Sequence, residues 1–417
     1  MNVDDLKGER IAFAASGGLD SCTIVHWLSA RGVKVVCMTA DLGQPDETSF
    51  DDIRRRMRAS GADEFVAMPL QETLSEIGLA VIQAQACYEG RYWNTTGAGR
   101  QAIVQGLVQQ MRKLDLSIMS HGATGRGNDQ VRFQIGANLL NPDLKVYAPW
   151  RDPAFLDSFS GRQQMIEYCE QHAIPIRATR DKPYSTDANL LGLTHEGGAL
   201  ERLGTPAEFV TPAMGVWPEQ APECAEIIEL RFEHGRPIAV NGERLSLPLV
   251  FHHLNAVAGR HGVGIGHHLV ENRFVGVKSR GVYEAPGMEL LGTAYALLAQ
   301  TVLDRRATEL LTTLSGVVAR QLYQGYWADL ASEMARAAIA RTAALMSGTL
   351  RISLYRGTIR FVSAADTPHS LFTADGSMEA EGSFNHADSE GLLRILSLNA
   401  RTLARAGQIA DHFDAGG

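Results

Sequence analysis

The stretch Ser16-Gly17-Gly18-Leu19-Asp20-Ser21 lies where an apolar segment, Ile11 to Ala14, gives way to an amphipathic one. A strand that runs through a glycine turn into a helix is typical of an anion site, because the first backbone N–H groups of a helix have no partners within it. The two glycines let the backbone approach an anion, and the two serines add hydroxyl donors. A capped glycine turn would have the same composition. Asp20 favours the phosphate interpretation, because a carboxylate beside a phosphate cradle is best explained by a Mg²⁺ ion.

Strands and helices alternate from this stretch to about residue 150. The predicted strands are Ile11 to Ala14, Lys34 to Thr39, Glu64 to Met68 and Leu116 to Ser120, and the predicted helices are Ser21 to Arg31, Ser49 to Ser60, Gln71 to Ala86 and Arg100 to Lys113. This alternation predicts a Rossmann-like α/β domain with a parallel sheet and right-handed crossovers. Ligands bind such sheets at the carboxyl ends of the strands. The loops at Thr39 to Gln44 and at Gly122 to Phe133 should therefore lie beside the opening stretch.

The loop from Gly122 to Phe133 combines three glycines with hydroxyl, amide, carboxylate and guanidinium groups. Its carboxylate, Asp129, is suited to an ammonium group, and Arg132 is suited to a carboxylate held through two parallel hydrogen bonds. The alternative is that the glycines form ordinary turns and that Arg132 is a solvated helix residue. Proximity to the opening stretch favours a ligand site, because the two loops together are more specific than either one.

Beyond Trp150 the alternation fades into helices, short strands and Gly/Pro loops, which predicts an α+β second domain. We predict domains at 1–168, 169–365 and 366–417. Lys182 to Glu196 is either a ligand loop or the capped start of a helix. Hairpins are predicted at 226–240 and 349–362, and a mainly helical region lies between Met288 and Met346. The terminal amphipathic helix, Glu390 to Ala406, is equally suited to docking on another subunit or on its own chain.

Composition excludes several classes of protein. The 417 residues carry a net charge of −8 without a basic run, which argues against a general nucleic-acid binder. The five cysteines form no Cys-x-x-Cys pair, so we expect reduced thiols. The first residues lack a signal-peptide pattern, and no long apolar run suggests a membrane span, so we expect a soluble cytoplasmic protein. The adjacent pairs His252-His253 and His267-His268 do not share a face, which favours structural histidines over a metal site.

The opening stretch resembles the pyrophosphate loop of the N-type ATP pyrophosphatases, and the other segments resemble the argininosuccinate synthase family in particular. The resemblance covers about residues 10 to 300 and rests on the segments Thr39 to Gln44, Gly122 to Phe133, Ala148 to Arg151, Tyr184 to Leu190, Glu271 to Arg273 and Ser279 to Pro286. Two departures are Arg126, where the family usually carries lysine, and His195 to Gly197, a segment that varies within the family.

The resemblance implies a carbon–nitrogen ligase of arginine biosynthesis, which joins citrulline to aspartate and cleaves ATP to AMP and pyrophosphate through a citrullyl-adenylate. It also implies Mg²⁺ as a cofactor and a homotetramer. Such an enzyme works by positioning and electrostatics rather than through a covalent protein intermediate. It remains open whether a protein group such as Asp129 removes the proton from the aspartate amine.

The resemblance also implies roles for particular residues. Ser16, Asp20 and Asp129 would be catalytic, with Asp20 on the Mg²⁺ ion. The ATP site would comprise Ala14, Ala15, Ser16, Gly17, Gly18, Leu19, Asp20, Ser21, Cys22, Ala40 and Gly122. Aspartate would be bound by Thr124, Asn128 and Asp129, with its ammonium group on Asp129. Citrulline would be bound by Tyr92, Thr96, Asn128, Arg132, Ser185, Thr194, Glu271 and Tyr283.

Two other functions are compatible with a pyrophosphate loop. One is another ligase of the same superfamily, such as a GMP, NAD or asparagine synthetase or a tRNA-thiolating enzyme. The sequence lacks a glutaminase segment, a cysteine pair for sulfur transfer and a basic RNA surface, which argues against it. The other is a catalytically inactive nucleotide-binding sensor, and the presence of both Asp20 and Asp129 argues against that function.

Overall fold

The computed structural model describes residues 1–45, 49–125, 127–176, 183–272, 275–377, 379, 382 and 385–409. The chain forms two compact units, Met1–His369 and Ser370–Gly417. No helix among these described residues is long and apolar enough to cross a membrane.

A five-stranded parallel sheet forms the first part of the larger unit. Its strands are β1 (Arg10–Ala14), β2 (Lys34–Asp41), β3 (Glu64–Pro69), β4 (Ile118–His121) and β5 (Lys145–Tyr147), in the order β3-β2-β1-β4-β5. All neighbouring strands are parallel, as the alternating pattern predicts. Because β1 lies at the centre, between β2 and β4, the loops that follow these three strands share one edge of the sheet.

Helices cover both faces of this sheet. They are α1 (Leu19–Ser29), α2 (Phe50–Ala59), α3 (Gln71–Gln83), α4 (Thr95–Lys113), α5 (Asn128–Leu140), α6 (Pro153–Ser158) and α7 (Arg162–Gln171). Alternate residues of a strand point to opposite faces, and Ala12 and Phe13 of β1 accordingly belong to separate hydrophobic clusters. Both are fully buried. The sheet is therefore packed on both sides, which leaves its carboxyl edge for a ligand.

Helix α4 begins at Thr95 and not at Arg100, where the sequence places its start. The side chain of Asn94 caps the helix by accepting a hydrogen bond of 3.2 Å from the backbone N–H of Gly97. Threonine and glycine have low helix propensity, so the first turn is not visible in the sequence pattern. The earlier start brings Thr96 into the same helix as Arg100.

Two antiparallel sheets make up the rest of the larger unit, and they confirm the predicted α+β region. The strands are β6 (Ser185–Asn189), β7 (Gly192–Glu196), β8 (Glu226–Glu233), β9 (Arg236–Val240), β10 (Glu243–Arg244), β11 (Ile265–Asn272), β12 (Val277–Glu284), β13 (Gly348–Tyr355) and β14 (Thr358–Ala365). One sheet has the order β10-β9-β8-β13-β14, and the other has the order β11-β12-β7-β6. The helices are α8 (Leu247–Arg260), α9 (Pro286–Val302), α10 (Arg305–Gln324) and α11 (Leu330–Ala343).

The segment from Ser185 to Asn189 is a strand, so its interpretation as a capped helix start is wrong. It pairs with β7, and this pairing places Asp187 opposite Thr194. The buried side chain of Asn189 also donates a hydrogen bond of 3.0 Å to the carbonyl of Thr95 on α4. These partners are distant in sequence, and they outweigh the local preference for a cap.

The smaller unit contains α12 (Asp388–Arg405), which agrees with the predicted terminal helix. None of its residues is buried. Its exposed apolar side chains are Leu392, Leu393, Ile395, Leu396 and Leu398.

Candidate active site

A cavity of about 660 Å³ opens at the carboxyl edge of the parallel sheet. The ends of β1, β2 and β4 line one part of it, and α4, α5, β7 and β12 line the rest. The loops that follow β1, β2 and β4 therefore meet as the sequence predicts, because the carboxyl ends of neighbouring parallel strands lie side by side.

The stretch from Ser16 to Ser21 joins β1 to the first turn of α1. The Ser16 N–H donates to Ser21 Oγ at 3.1 Å, and the two serine hydroxyl oxygens are also 3.1 Å apart. Gly17 has a φ of +73°, and a Cβ there would lie 2.9 Å from Ile53 Cγ2, so this turn requires glycine. Helix α1 begins without a side-chain cap, because its N-cap is Gly18. Its first N–H groups are consequently available to an anion.

Not every predicted ATP residue reaches the cavity. Ala14, Ala15, Ser16, Asp20, Ser21, Ala40 and Gly122 line it. Leu19 and Cys22 are buried in the hydrophobic cluster beneath the loop, and Gly17 and Gly18 contribute through the shape of the backbone. Arg126 and Arg273, which belong to the motifs of the resemblance, lie outside the described residues.

Asp20 is the one acidic side chain of the pyrophosphate-loop stretch, and it faces the cavity. Burial raises the pKa of its carboxyl group above the usual range. Within the described parts of the chain, no group of three or more His, Cys, Asp or Glu side chains forms a metal site. These features fit Mg²⁺, which is commonly held by one or two carboxylates together with substrate phosphates and water. A bound cation would also stabilise the ionised form of this desolvated carboxylate.

The opposite part of the cavity contains a network of ion pairs around Asp129. Its Oδ2 lies 2.9 Å from Arg100 Nε, and its Oδ1 lies 2.8 Å from Arg132 Nη1. Arg100 continues to Asp187, with 2.7 Å between Nη2 and Oδ2. Burial by itself would raise the pKa of Asp129, but the two guanidinium groups hold it below the usual value. Asp129 is thus a carboxylate whose orientation is set from two sides.

Four of the predicted citrulline residues come together on one wall of the cavity. Tyr92 and Tyr283 have ring centroids 4.5 Å apart, and Thr96 Oγ1 and Thr194 Oγ1 are 3.2 Å apart. Strand pairing places Tyr283 directly opposite Thr194. These side chains come from α4, β7, β12 and the segment before α4, so the wall exists only when the two parts of the larger unit are packed together.

Thr124, Asn128 and Arg132 of the predicted substrate residues also line the cavity, whereas Ser185 and Glu271 are not among its lining residues. Their sequence neighbours, among them Thr186 and Asn272, line it instead. The side chain of Ser185 is exposed at the end of β6. The structure therefore brings most of the predicted substrate residues to one place and leaves these two beside it.

Tyr323 is a cavity residue that the sequence does not predict. Its hydroxyl accepts a hydrogen bond of 3.0 Å from Asn128 Nδ2 and donates one of 2.9 Å to the carbonyl of Glu271. Its carbonyl accepts a bond of 3.0 Å from Arg132 Nε, and its ring stacks on Tyr88 at 3.7 Å. Tyr323 lies near the end of α10, where the sequence shows an ordinary amphipathic helix. No local signal marks it.

Arg100, Asp187 and Glu196 also line the cavity without having been predicted as site residues. Asp187 lies within the matching segment Tyr184 to Leu190, whereas Glu196 lies in the departing segment His195 to Gly197, and the polar character of both is a usable signal. Arg100 was predicted as the first residue of a helix, which hid its position inside α4.

The fold and the cavity together define an ATP-utilising α/β enzyme, in which an anion-binding loop and a set of charged and hydroxyl side chains face one space. The family model described as "Arginosuccinate synthase N-terminal HUP domain" matches residues 10–175, and that described as "Arginosuccinate synthase C-terminal domain" matches residues 184–403. The chain belongs to the argininosuccinate synthase family. This family ligates citrulline and aspartate in an ATP-dependent reaction.

Relatives named argininosuccinate synthase match the chain over nearly its full length. The protein from Rhodopirellula baltica is 39% identical over 395 residues, which is 94% of this chain and 97% of the relative. Those from Thermotoga sp. and Desulfitobacterium hafniense are each 37% identical and cover 94% and 95% of this chain and 97% and 98% of their own. A solved Leishmania major tyrosyl-tRNA synthetase aligns with 81% of this chain and 48% of that chain, at 12% identity and a TM-score of 0.17.

Proposed function

We propose that this protein catalyses the reaction of its family at the cavity described above and that the predicted residues perform it. The observation that carries the proposal is that the pyrophosphate loop and the Asp129 network line a single cavity. A ligase must hold its nucleotide and its two amino acids within reach of one another, because orientation supplies much of the rate enhancement. One shared cavity meets that requirement.

The nucleotide end of the cavity is suited to releasing pyrophosphate. A urea oxygen is a poor leaving group, so the ureido oxygen of citrulline first attacks the α-phosphorus of ATP and pyrophosphate departs. Ser16, Ser21 and the free N–H groups at the start of α1 would stabilise the negative charge that builds on pyrophosphate. Asp20 would hold Mg²⁺, which supplies further neutralisation of the phosphates when it is bound. Ala40 and Gly122 would allow the nucleotide to lie close to the backbone.

The other end of the cavity is suited to two amino acids. Asp129 would receive the ammonium group of aspartate, assisted by Thr124 and Asn128. Tyr92, Thr96, Thr194 and Tyr283 would hold citrulline, with Arg132 directed at its carboxylate. Ser185 and Glu271, which are not among the lining residues, would join them. Attack of the aspartate amine on the activated ureido carbon then expels AMP.

The assay that tests this function measures AMP and pyrophosphate released by the purified protein with ATP and Mg²⁺. We expect sustained release only when citrulline and aspartate are both present, together with stoichiometric argininosuccinate. Glutamine and ammonia serve as matched alternative nitrogen donors. Sustained ATP cleavage that proceeds equally well with either of them in place of aspartate would contradict the proposal and would favour another ligase of the superfamily.

The quaternary and cellular assignments rest on the family resemblance. We propose a homotetramer in the cytoplasm, with the three domains at 1–168, 169–365 and 366–417. The exposed leucine and isoleucine side chains of α12 support a subunit contact, since an apolar helix face in water favours association. Light scattering at several protein concentrations measures the mass directly, and a monomeric mass at all of them would contradict the tetramer.

A further inference from the structure

The carboxylate of Glu196 lies on the cavity wall, although the predicted site does not include it. Alternate residues of a strand face the same side, so Glu196 shares the cavity face of β7 with Thr194. The residue between them, His195, faces the opposite side and is buried against Glu284, with 2.7 Å between Nε2 and Oε1. This buried pair holds β7 against β12 and fixes which residues of β7 face the cavity.

Glu196 lies between the two groups of amino-acid residues. Its backbone pairs with Ser185 on one side and Gly281 on the other, two residues along the strand from the Thr194–Tyr283 pair. The ring of Tyr283, on the same face of β12, lies over this glycine, since a Cβ on Gly281 would be 2.9 Å from Tyr283 Cε2. Asp129 is near enough to Glu196 to affect its titration. Glu196 is thus close to both the proposed citrulline wall and the proposed aspartate carboxylate.

Glu196 belongs to a cluster of charged side chains on the cavity wall, and it is the carboxylate of that cluster for which the described residues supply no guanidinium partner. Asp129 and Asp187 are both paired with Arg100, and Asp129 is also paired with Arg132. In the described part of the chain, the structure shows no ion pair or side-chain hydrogen bond to the Glu196 carboxylate. Among the residues of this cluster that the structure describes, three carboxylates therefore face two guanidinium groups. The cavity has room for one more cation, and an amino-acid ammonium group is such a cation.

The reaction requires a base at this point. An aspartate amine is an ammonium ion at neutral pH, and it has no lone pair with which to attack until it loses a proton. Asp129 is a weak base because its two arginine partners stabilise the carboxylate form. Glu196 is exposed and lines the cavity, and desolvation by the surrounding protein together with the charges of Asp129 and Asp187 raises the pKa of its carboxyl group to about 7. A base with a pKa near the working pH is the most effective.

We propose that Glu196 is the general base that takes the first proton from the ammonium group of the substrate aspartate. The freed lone pair forms the new C–N bond to the adenylated ureido carbon. The C–O bond to AMP then breaks, and its electron pair leaves on the AMP oxygen. The second proton of the attacking nitrogen is lost as AMP departs, to the departing phosphate, so that the product is a guanidinium ion. This inference rests on the proposed function.

The test separates the two halves of the reaction in Glu196→Gln. Citrulline-dependent exchange of labelled pyrophosphate into ATP reports adenylation, which needs no amine and no base at this position. We expect this exchange to remain, while kcat for argininosuccinate formation falls about 10²–10⁴-fold, the usual contribution of a general base. Retained exchange also shows that the variant is folded. Glu201→Gln, an exposed glutamate five residues later, is the matched control and should change neither rate.

The pH profile gives a second readout. The base must be ionised, so wild-type ligation should be present above the pKa of Glu196 and should be lost as the pH falls through about 7. Asp129, Asp187, Arg100, Arg132 and Tyr283 also act electrostatically around this group, and all of them are retained in Glu196→Gln. In the Glu196→Gln variant, the ligation rate should therefore no longer show this fall at low pH.

Three outcomes would overturn the inference. Near wild-type ligation by Glu196→Gln would show that the carboxylate is not the base. Equal loss of exchange and ligation, with a raised KM for citrulline, would show that Glu196 binds citrulline instead. Absence of citrulline-dependent exchange and ligation in the wild-type protein would overturn the proposed function, and the inference with it.

Discussion

The hydroxyl group of Tyr323 links three parts of the amino-acid site. It accepts from the side chain of Asn128 on α5 and donates to the backbone of Glu271 on β11, at 3.0 and 2.9 Å. Tyr323→Phe removes this one oxygen atom. The ring stacking on Tyr88 and the bond from Arg132 to the main-chain carbonyl both remain, so the perturbation is confined to the orientation of Asn128 and Glu271.

The size of the effect follows from the two hydrogen bonds that disappear. A buried polar group that loses a partner costs about 1–3 kcal/mol, and Glu271 keeps a weaker donor in the Tyr88 hydroxyl at 3.5 Å. If that free-energy cost falls on substrate binding, KM for citrulline rises about 5- to 140-fold, since each 1.4 kcal/mol is about a factor of ten. KM for ATP should be unchanged, because the pyrophosphate loop lies at the other end of the cavity.

Steady-state kinetics with each substrate varied in turn, together with thermal unfolding, check this prediction. Tyr326→Phe is the matched control, because Tyr326 follows the same helix and its side chain is 37% exposed. The control should match the wild-type protein in every parameter. The reasoning is refuted if Tyr323→Phe leaves KM for both citrulline and aspartate unchanged, or if KM for ATP rises by the same factor.

Three further predictions concern other parts of the cavity. Ser16→Ala removes a preorganised donor to pyrophosphate and should lower kcat about 10²–10³-fold, and a nearly unchanged steady-state rate would show that this hydroxyl is dispensable. Asp129→Asn removes the charge that faces the aspartate ammonium group and should raise KM for aspartate about 10- to 100-fold, which corresponds to the loss of one charged hydrogen bond. Unchanged KM and kcat would show that Asp129 does not bind this ammonium group. Burial lowers the pKa of His121 to about 4, so its contribution to stability is complete above about pH 6.5 and is lost as the pH falls towards 4. Urea unfolding at pH 7 and pH 5 should show a loss of about 2 kcal/mol that is absent in His121→Asn, and equal losses in both proteins would contradict this assignment.

The architecture of the first 150 residues was predictable from the sequence because its causes are local. Strand and helix periods, glycine turns and the short distance between them specify a parallel sheet, and the carboxyl ends of its strands can meet only at one edge. The same reasoning predicts that the loops from Ser16 and from Gly122 lie side by side, as they do in the cavity. The prediction is wrong at the start of α4, where the Asn94 side chain caps an earlier first turn. It is also wrong at β6, where strand pairing outweighs a weak local preference for a helix start.

The class of fold and the anion-binding loop thus follow from the order of residues along the chain, and the family resemblance supplies the reaction. Which charges face one another depends on the packing of distant elements: Asp129 is held by Arg100 and Arg132, and Tyr323 reaches the site from α10. Glu196 has no guanidinium partner among the described residues. The reason is physical. Secondary structure depends on neighbours within a few positions, whereas the pairing and pKa of a buried charge depend on every group that folding brings within a few ångströms.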